Sequence, residues 1–277
     1  MRGLRAPFCI FPASESDMMG IVEIPIGMEP MRLFPKRTPS RREAREVVAD
    51  GAVLPVSVVE SARATRLTLR IVPGGKALKV TIPPHVSDRQ VDQFIDRNRN
   101  WIATRIARIP DPVDADSGAL IPYLGRDHRI IHLDRLRGVV EAREVAGEPA
   151  LLVPGDPSRV TGKLAAFLRA RAREQLNLAV DRHCRSLGVR ARSIRITDTT
   201  SRWGSCSTTR TLSFSWRIIM APPEVLDYLA AHEVAHLREM NHSQAFWDHV
   251  RAICPDMDRH KSWLRRNGAR LHSIRLD

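Results

Sequence analysis

The sequence predicts an α+β protein with a β-rich N-terminal part and a more helical C-terminal part. Three observations lead to this prediction. Apolar and polar residues alternate over residues 65–82, which is the period-two pattern of half-buried strands. Apolar residues recur at helical spacing between Thr161 and Leu187. The segment Glu224–Met240 follows two prolines and contains several alanines and leucines, as expected for a buried helix.

Residues 1–50 show neither helical nor strand periodicity, and they are predicted to be a flexible leader. Four methionines lie within it, and any of them could be the true start, so part of the leader need not be native. These are Met18, Met19, Met28 and Met31. We divide the rest into a β-rich part with one helix, residues 51–155, and a C-terminal part, residues 156–277.

The β-rich part is predicted to open with a hairpin. Leu67, Leu69 and Ile71 alternate with polar residues, a Pro-Gly-Gly turn follows, and the alternation resumes from Leu78 to Ile82. Ser87 is then a candidate N-cap for a helix that reaches about Ile109. Residues 110–118 have the composition of a linker, and residues 120–153 contain further strand candidates.

The C-terminal part is predicted to begin with a helix from Thr161 to Leu187, which Gly188 ends. The polar face of this helix carries five arginines, which we interpret first as a solvated face. Strands are predicted at residues 194–197 and 212–220. Ser243 is a candidate cap for a later helix, Gln244–Ile253.

Composition excludes several classes of protein. Apolar residues make up 43% of the chain, but no run approaches the roughly 20 that span a bilayer, so no membrane partner is predicted. The four cysteines are scattered without paired spacing, which indicates reduced thiols. No clear targeting segment is present, and we predict a cytoplasmic protein. The formal charge of +13 comes mainly from arginine and leaves nucleic acid as an alternative partner.

The predicted helix from Glu224 carries the pattern His232-Glu-Val-Ala-His236. Its two histidines lie about 40° apart around the helix axis, so both imidazoles can reach one metal ion. Glu233 projects about 60° beyond His236, which leaves its carboxylate for a water at the open coordination position. With 10 His among 277 residues, this pattern arises by chance about 0.02 times per chain. A zinc site is therefore predicted, with a satisfied core cluster of polar residues as the alternative.

A catalytic zinc site needs a third protein ligand besides water. His242 lies six residues beyond His236, which is far enough for the chain to leave the helix and turn back. Spacing alone leaves His249, His260 and Glu239 as rivals, although Glu239 is expected to be rotated away from the metal.

Several blocks around these histidines form a recognisable pattern. They include Ser201-Arg-Trp-Gly-Ser-Cys206, Leu212-Ser-Phe-Ser-Trp-Arg217, His232-Glu-Val-Ala-His-Leu237 and Asn241-His-Ser243. Together they resemble the YgjP-like metallopeptidase family over about residues 60–270. The resemblance implies a minimal zincin fold: an active-site helix, a following helix and a small sheet whose edge strand borders the cleft. It also implies zinc ligands at His232, His236 and His242, and a catalytic glutamate at Glu233.

Two related groups are compared with the same pattern. Metzincins share the spacing of the three histidines, but they have glycine where this chain has Glu239, and no convincing Met-turn is visible, so that assignment is rejected. SprT-like DNA-associated proteases are more distant relatives, and the basic charge is only an analogy with them.

The predicted function is hydrolysis of a peptide or protein substrate with one zinc ion per chain. Glu233 would accept the proton of an activated water and pass it to the leaving amine. Residues 212–217 are a candidate edge strand for an extended peptide, with core packing of Phe214 and Trp216 as the alternative. Arg217 and Tyr228 are candidate oxyanion donors.

Two other functions remain open from sequence. One is a DNA- or nucleoprotein-associated zinc protease, and the other is a non-catalytic zinc-stabilised module. The sequence predicts neither an oligomeric state nor a specific role for the loop Trp203–Cys206.

Overall fold

A computed structural model of the chain describes residues 21–25, 45–49, 51–72, 75–107, 109–135 and 137–276. The chain divides into two compact units, with the boundary between Pro110 and Asp111. Helices and sheets occur in both units, so the α+β class predicted from sequence is confirmed.

The described residues up to Pro110 contain five strands and two helices. They are β1 (Ile21–Pro25), β2 (Arg45–Ala49), β3 (Ala52–Glu60), β4 (Arg66–Ile71), β5 (Leu78–Ile82), α1 (Asp88–Arg97) and α2 (Arg99–Ile106). The strands form one sheet in the order β1-β4-β5-β3-β2, in which β3 and β5 are parallel and the other neighbours antiparallel.

The predicted hairpin is present in this sheet. Strands β4 and β5 pair antiparallel with Leu69 opposite Val80, and both side chains are fully buried. Residues 73–74 of the predicted turn lie outside the described residues. Ser87 caps α1 as predicted, since its hydroxyl accepts from the Gln90 backbone N–H. The helix is not continuous, however, because Asn98 leaves the helical conformation and its amide donates to the Phe94 carbonyl.

The prediction that residues 1–50 form a flexible leader was wrong for the two stretches of this segment that the structure describes. Arg45–Ala49 is an edge strand, and Val47 and Ala49 are buried against the sheet. Ile21–Pro25 is a further strand, paired with β4. A strand of five residues is too short to show a clear alternation of apolar and polar residues in the sequence. The four methionines and the rest of the leader lie outside the described residues.

The described residues from Asp111 onward contain nine strands and four α-helices. The strands are β6 (Val113–Asp114), β7 (Leu120–Tyr123), β8 (Arg126–Leu133), β9 (Glu141–Val145), β10 (Glu148–Pro154), β11 (Ser193–Thr197), β12 (Gly204–Cys206), β13 (Thr211–Ser215) and β14 (Ile274–Arg275). The helices are α3 (Val160–Leu187), α4 (Pro223–Ala235), α5 (Gln244–Ile253) and α6 (Met257–Ser273). The sheets have the orders β7-β8-β10-β9, β11-β13-β12 and β14-β6.

The four-stranded sheet and α3 share one hydrophobic core. Ile121, Ile130 and Leu151 from the sheet and Leu164 and Leu168 from α3 are all almost fully buried within it. The boundary between the units therefore falls before this sheet, at Asp111, and not at residue 155 as the sequence suggested. Strand composition alone could not indicate which core the sheet would join.

The long helix α3 matches its prediction closely, and it ends at Gly188 in the left-handed conformation with φ 61°. Its polar face is partly paired with acidic residues: Arg171 lies 2.7 Å from Glu174 and Arg169 3.8 Å from Asp198. Among the described residues, no helix has the length and apolar character that a membrane crossing requires.

Candidate metal centre

Helix α4 is buried on nearly all sides, as its apolar composition predicted. Val225 and Leu229 face the larger core, whereas Ala231 and Ala235 face a smaller one built with α5. The helix ends at Ala235, five residues before the predicted end. The backbone forms a tighter, 3-10-type turn there, because the N–H groups of Leu237 and Arg238 donate to carbonyl oxygens three residues earlier. This early end releases the segment that follows.

The released segment carries His242 back toward α4. Ser243 then caps α5 at the predicted position, where its hydroxyl accepts from the Phe246 backbone N–H. The His242 ring is thereby held in a corner between two helices, and its centroid lies 5.1 Å from that of His232 and 4.7 Å from that of His236.

The structure brings His232, His236 and His242 together into a group that could hold a metal ion. Their candidate ligand atoms all lie within 4.8 Å of one another, and the Nε2 atoms of His232 and His242 are 3.2 Å apart. Two nitrogens bound to one tetrahedral zinc at about 2.0–2.1 Å are separated by about 3.3 Å, so the spacing suits that ion. Within the described part of the chain, His249, His260 and Glu239 stand outside this group.

A backbone contact sets the orientation of His236. Its Nδ1 lies 3.0 Å from the carbonyl oxygen of Glu239. A carbonyl can only accept, so Nδ1 carries the proton and Nε2 keeps its lone pair for a metal. Glu239, a rival ligand in the sequence, thus contacts the site through its backbone.

Burial keeps two of the imidazoles neutral. It lowers the pKa of His236 to about 4, with a smaller opposing contribution from the Glu239 carbonyl. Burial also holds the pKa of His232 well below its ordinary value, assisted by His236, His242 and the ammonium of Lys261. Neutral imidazole is the form that ligates a metal, so these two side chains need no deprotonation before binding.

Aromatic side chains from α5 form one wall of the site. Phe246 is fully buried and stacks on His236, with ring centroids 4.4 Å apart. Trp247 stacks on His242 at 5.5 Å, and the Lys261 ammonium lies 4.2 Å from the centre of the indole. These rings restrict how far the imidazoles can rotate.

Strand β12 is the edge strand beside α4. The sequence suggested residues 212–217 for this role, but that prediction was wrong because β13 lies between β11 and β12. Phe214 and Trp216 are buried in the core. The Ser215 N–H donates to the Trp203 carbonyl, so these two residues form a hydrogen-bonded pair. Along an antiparallel ladder, hydrogen-bonded residue pairs alternate with pairs that are not hydrogen-bonded to each other. The N–H and C=O groups of Gly204 and Cys206 therefore point away from β13, toward the free edge.

The two candidate oxyanion donors have different surroundings. The Arg217 side chain donates to Asp198 at 2.8 Å and to the Ile274 carbonyl at 2.7 Å, so it ties down the end of α6. Tyr228 is buried one turn before His232, with ring centroids 6.1 Å apart. These contacts assign a packing role to Arg217 and leave Tyr228 close to the histidines.

Helix α6, which borders the site through Lys261, was not predicted from the sequence. Leu264, Gly268 and Leu271 are buried along it at intervals of four and three residues. This spacing is the signal that could have revealed the helix.

Family models, curated proteins and solved structures provide three comparisons for this chain. The sequence matches the family described as YgjP-like, metallopeptidase domain, over residues 65–267. A search of curated proteins finds no significant relative. Among solved structures, the metallopeptidase zymogen of Pyrococcus abyssi abylysin is 22% identical, with a TM-score of 0.29, over 33% of this chain and 96% of that chain. The metallopeptidase zymogen of Methanocaldococcus jannaschii jannalysin is 21% identical, with a TM-score of 0.28, over 32% of this chain and 94% of that chain.

Proposed function

The chain belongs to the YgjP-like metallopeptidase family, a family of metal-dependent peptidases, and from that premise we propose a specific catalytic apparatus. One zinc ion is held by His232, His236 and His242, and Glu233 is the general base that cleaves a peptide bond. The observation that carries this proposal is the convergence of three imidazoles beside a carboxylate that is only 2% exposed.

The donor set favours zinc over the alkaline-earth cations. Three imidazole nitrogens suit zinc and other late transition metals, whereas magnesium and calcium prefer oxygen ligands. Zinc bound here would lower the pKa of a coordinated water and polarise the substrate carbonyl.

Glu233 moves the proton in this proposal. Its carboxylate accepts a proton from the attacking water as the oxygen adds to the carbonyl carbon. The protonated side chain then donates that proton to the amide nitrogen as the carbon–nitrogen bond breaks, which releases an amine and a carboxylic acid. Glu233 lies next to His232 in sequence but about 100° away around the helix, so it need not ligate the metal.

The free edge of β12 supports a peptide as the substrate. The outward N–H and C=O groups of Gly204 and Cys206 can bond to an extended chain, as in β-strand addition. Gly204 lies beside Glu233, so a chain bound on this edge would bring its backbone to the base.

Removal and return of metal test the proposed function. Wild-type protein treated with a chelator should stop cleaving a quenched fluorescent peptide library, and one equivalent of zinc per chain should restore cleavage. The variant His236→Ala should bind less zinc and should not recover. Full cleavage by protein shown to be metal-free would contradict the proposal.

The DNA-associated alternative gains no support from the arginines of α3. Arg171 and Arg182 contact the acidic residues Glu174 and Asp227, which reduces the positive charge that this face offers to a polyanion.

A further inference from the structure

The backbone of β12 comes unusually close to the Glu233 side chain. A Cβ atom built on Gly204 would lie 2.3 Å from Glu233 Oε1, 2.7 Å from Cδ and 2.8 Å from Cγ. All three distances are shorter than real Cβ contacts allow. Glu233 is 2% exposed, so its side chain has little room to move aside. Glycine at this position leaves space for the carboxylate, and any larger residue would displace the Glu233 side chain.

The residue before Gly204 anchors the strand on its other side. The Trp203 ring packs against the His272 ring in a tilted arrangement, with centroids 4.3 Å apart. It also lies against Gly268 in α6, where an added Cβ would come within 3.1 Å of the indole. The Trp203 carbonyl accepts from the Ser215 N–H at 2.8 Å. Strand β12 is therefore fixed by α6 and β13, and it cannot easily withdraw from Glu233.

We propose that Trp203 and Gly204 together form a positioning element for the Glu233 carboxylate. Trp203 fixes the strand, and the bare backbone of Gly204 forms the surface against which Glu233 packs. This inference rests on the proposed role of Glu233 as the base. It gives a function to the first two residues of the Trp-Gly-Ser-Cys segment, for which the sequence predicted no specific role.

Cys206 gives supporting geometry. It lies two residues after Gly204, so its side chain is on the same face of β12. Burial is the main cause that raises the pKa of its thiol, and the negative charge of Glu233 raises it further. A Cβ on Gly204 would point at Glu233, so the carboxylate lies on this same face of the strand.

The first experiment separates position from metal binding. Gly204→Ala should lower kcat by about 10²-fold, the cost of displacing a catalytic group by about 1 Å, while KM changes less than kcat. Zinc content should remain one ion per chain, because the three atoms nearest the added methyl all belong to Glu233 and none to a histidine. Gly162→Ala in α3 is the matched control, since its Cβ would meet nothing within 4 Å. An unchanged kcat in Gly204→Ala would overturn the inference.

The second experiment needs no substrate. Gly204→Ala is measured in the wild type and in a Glu233→Ala background, where the clashing side chain is absent. The alanine should lower Tm by at least about 3 °C more in the wild type than in that background. Failure to fold in the wild type alone would support the inference as well. Equal losses in both backgrounds would overturn it.

The two proposals fail in different ways. If Glu233→Gln keeps full activity on a peptide that the wild type cleaves, the proposed function fails, whatever the thermal data show. If Glu233→Gln is inactive while Gly204→Ala keeps full kcat and shows no thermal coupling, only the positioning inference fails.

Discussion

Phe246 offers a sharp test of how the metal site is supported. Its ring is fully buried and lies 4.4 Å from the His236 ring, 4.6 Å from that of His242 and 5.0 Å from that of His232. In Phe246→Ala the apolar surface of the ring is lost and a cavity forms between α4 and α5. For complete burial of this kind, the free energy of unfolding of the metal-free protein should fall by about 3–5 kcal/mol.

The same change should weaken metal binding. The ring stacks on His236 and makes T-shaped contacts with His232 and His242, so its removal lets the imidazoles rotate away from a common centre. Loss of such supporting contacts typically lowers metal affinity by about 10–100-fold. Leu164→Ala is the control, because Leu164 is equally buried in α3 but belongs to the main core. Leu164→Ala should lower the free energy of unfolding by about 2–5 kcal/mol and should change zinc affinity little.

Two assays decide between these outcomes. Urea denaturation of the metal-free variants gives the stability change, and competition with a chromophoric chelator gives the zinc dissociation constant. The reasoning predicts loss of both quantities in Phe246→Ala and loss of stability alone in Leu164→Ala. Zinc affinity that falls equally in both variants would refute a specific role for the aromatic wall.

Three further predictions use simpler measurements. A chain that starts at Val53 lacks β2 and the buried Val47, so its N-terminal unit should lose about 2 kcal/mol; an unchanged melting curve would contradict the strand. Burial raises the pKa of Cys206 to about 12, so its alkylation should be very slow at pH 8 and rise about tenfold per pH unit; fast labelling at pH 8 would contradict this. Burial acts to raise the pKa of Asp227, but hydrogen bonds and the charges of His183 and Arg182 outweigh it, and the net pKa lies below 3.8. Its stabilising contribution is therefore present above that pH and lost as the pH falls through the lowered pKa, and Asp227→Asn should show a weaker acid dependence in calorimetry.

Local signals in the sequence were sufficient for much of the fold. The cap at Ser87, the hairpin around Leu69 and the end of α3 at Gly188 depend on neighbouring residues, and the structure has all three. The pattern around His232 is also local, since two side chains four residues apart on a helix must share a face.

Features set by distant residues could not be read in the same way. The early end of α4 accompanies a contact between His236 and the Glu239 carbonyl, which no helix propensity describes. The edge position of β12 depends on the order of strands in the sheet. The requirement for glycine at Gly204 arises from Glu233, which is far away in the sequence and adjacent only in the folded chain.

The substitution Glu233→Gln tests the central claim most directly. Glutamine keeps the shape and hydrogen-bonding capacity of the side chain but cannot accept the proton. The account predicts a folded protein with one zinc ion per chain by elemental analysis, and peptide cleavage reduced by about 10²-fold to 10⁴-fold. Cleavage equal to that of the wild type on a verified peptide, with zinc content unchanged, would contradict the proposed role of Glu233.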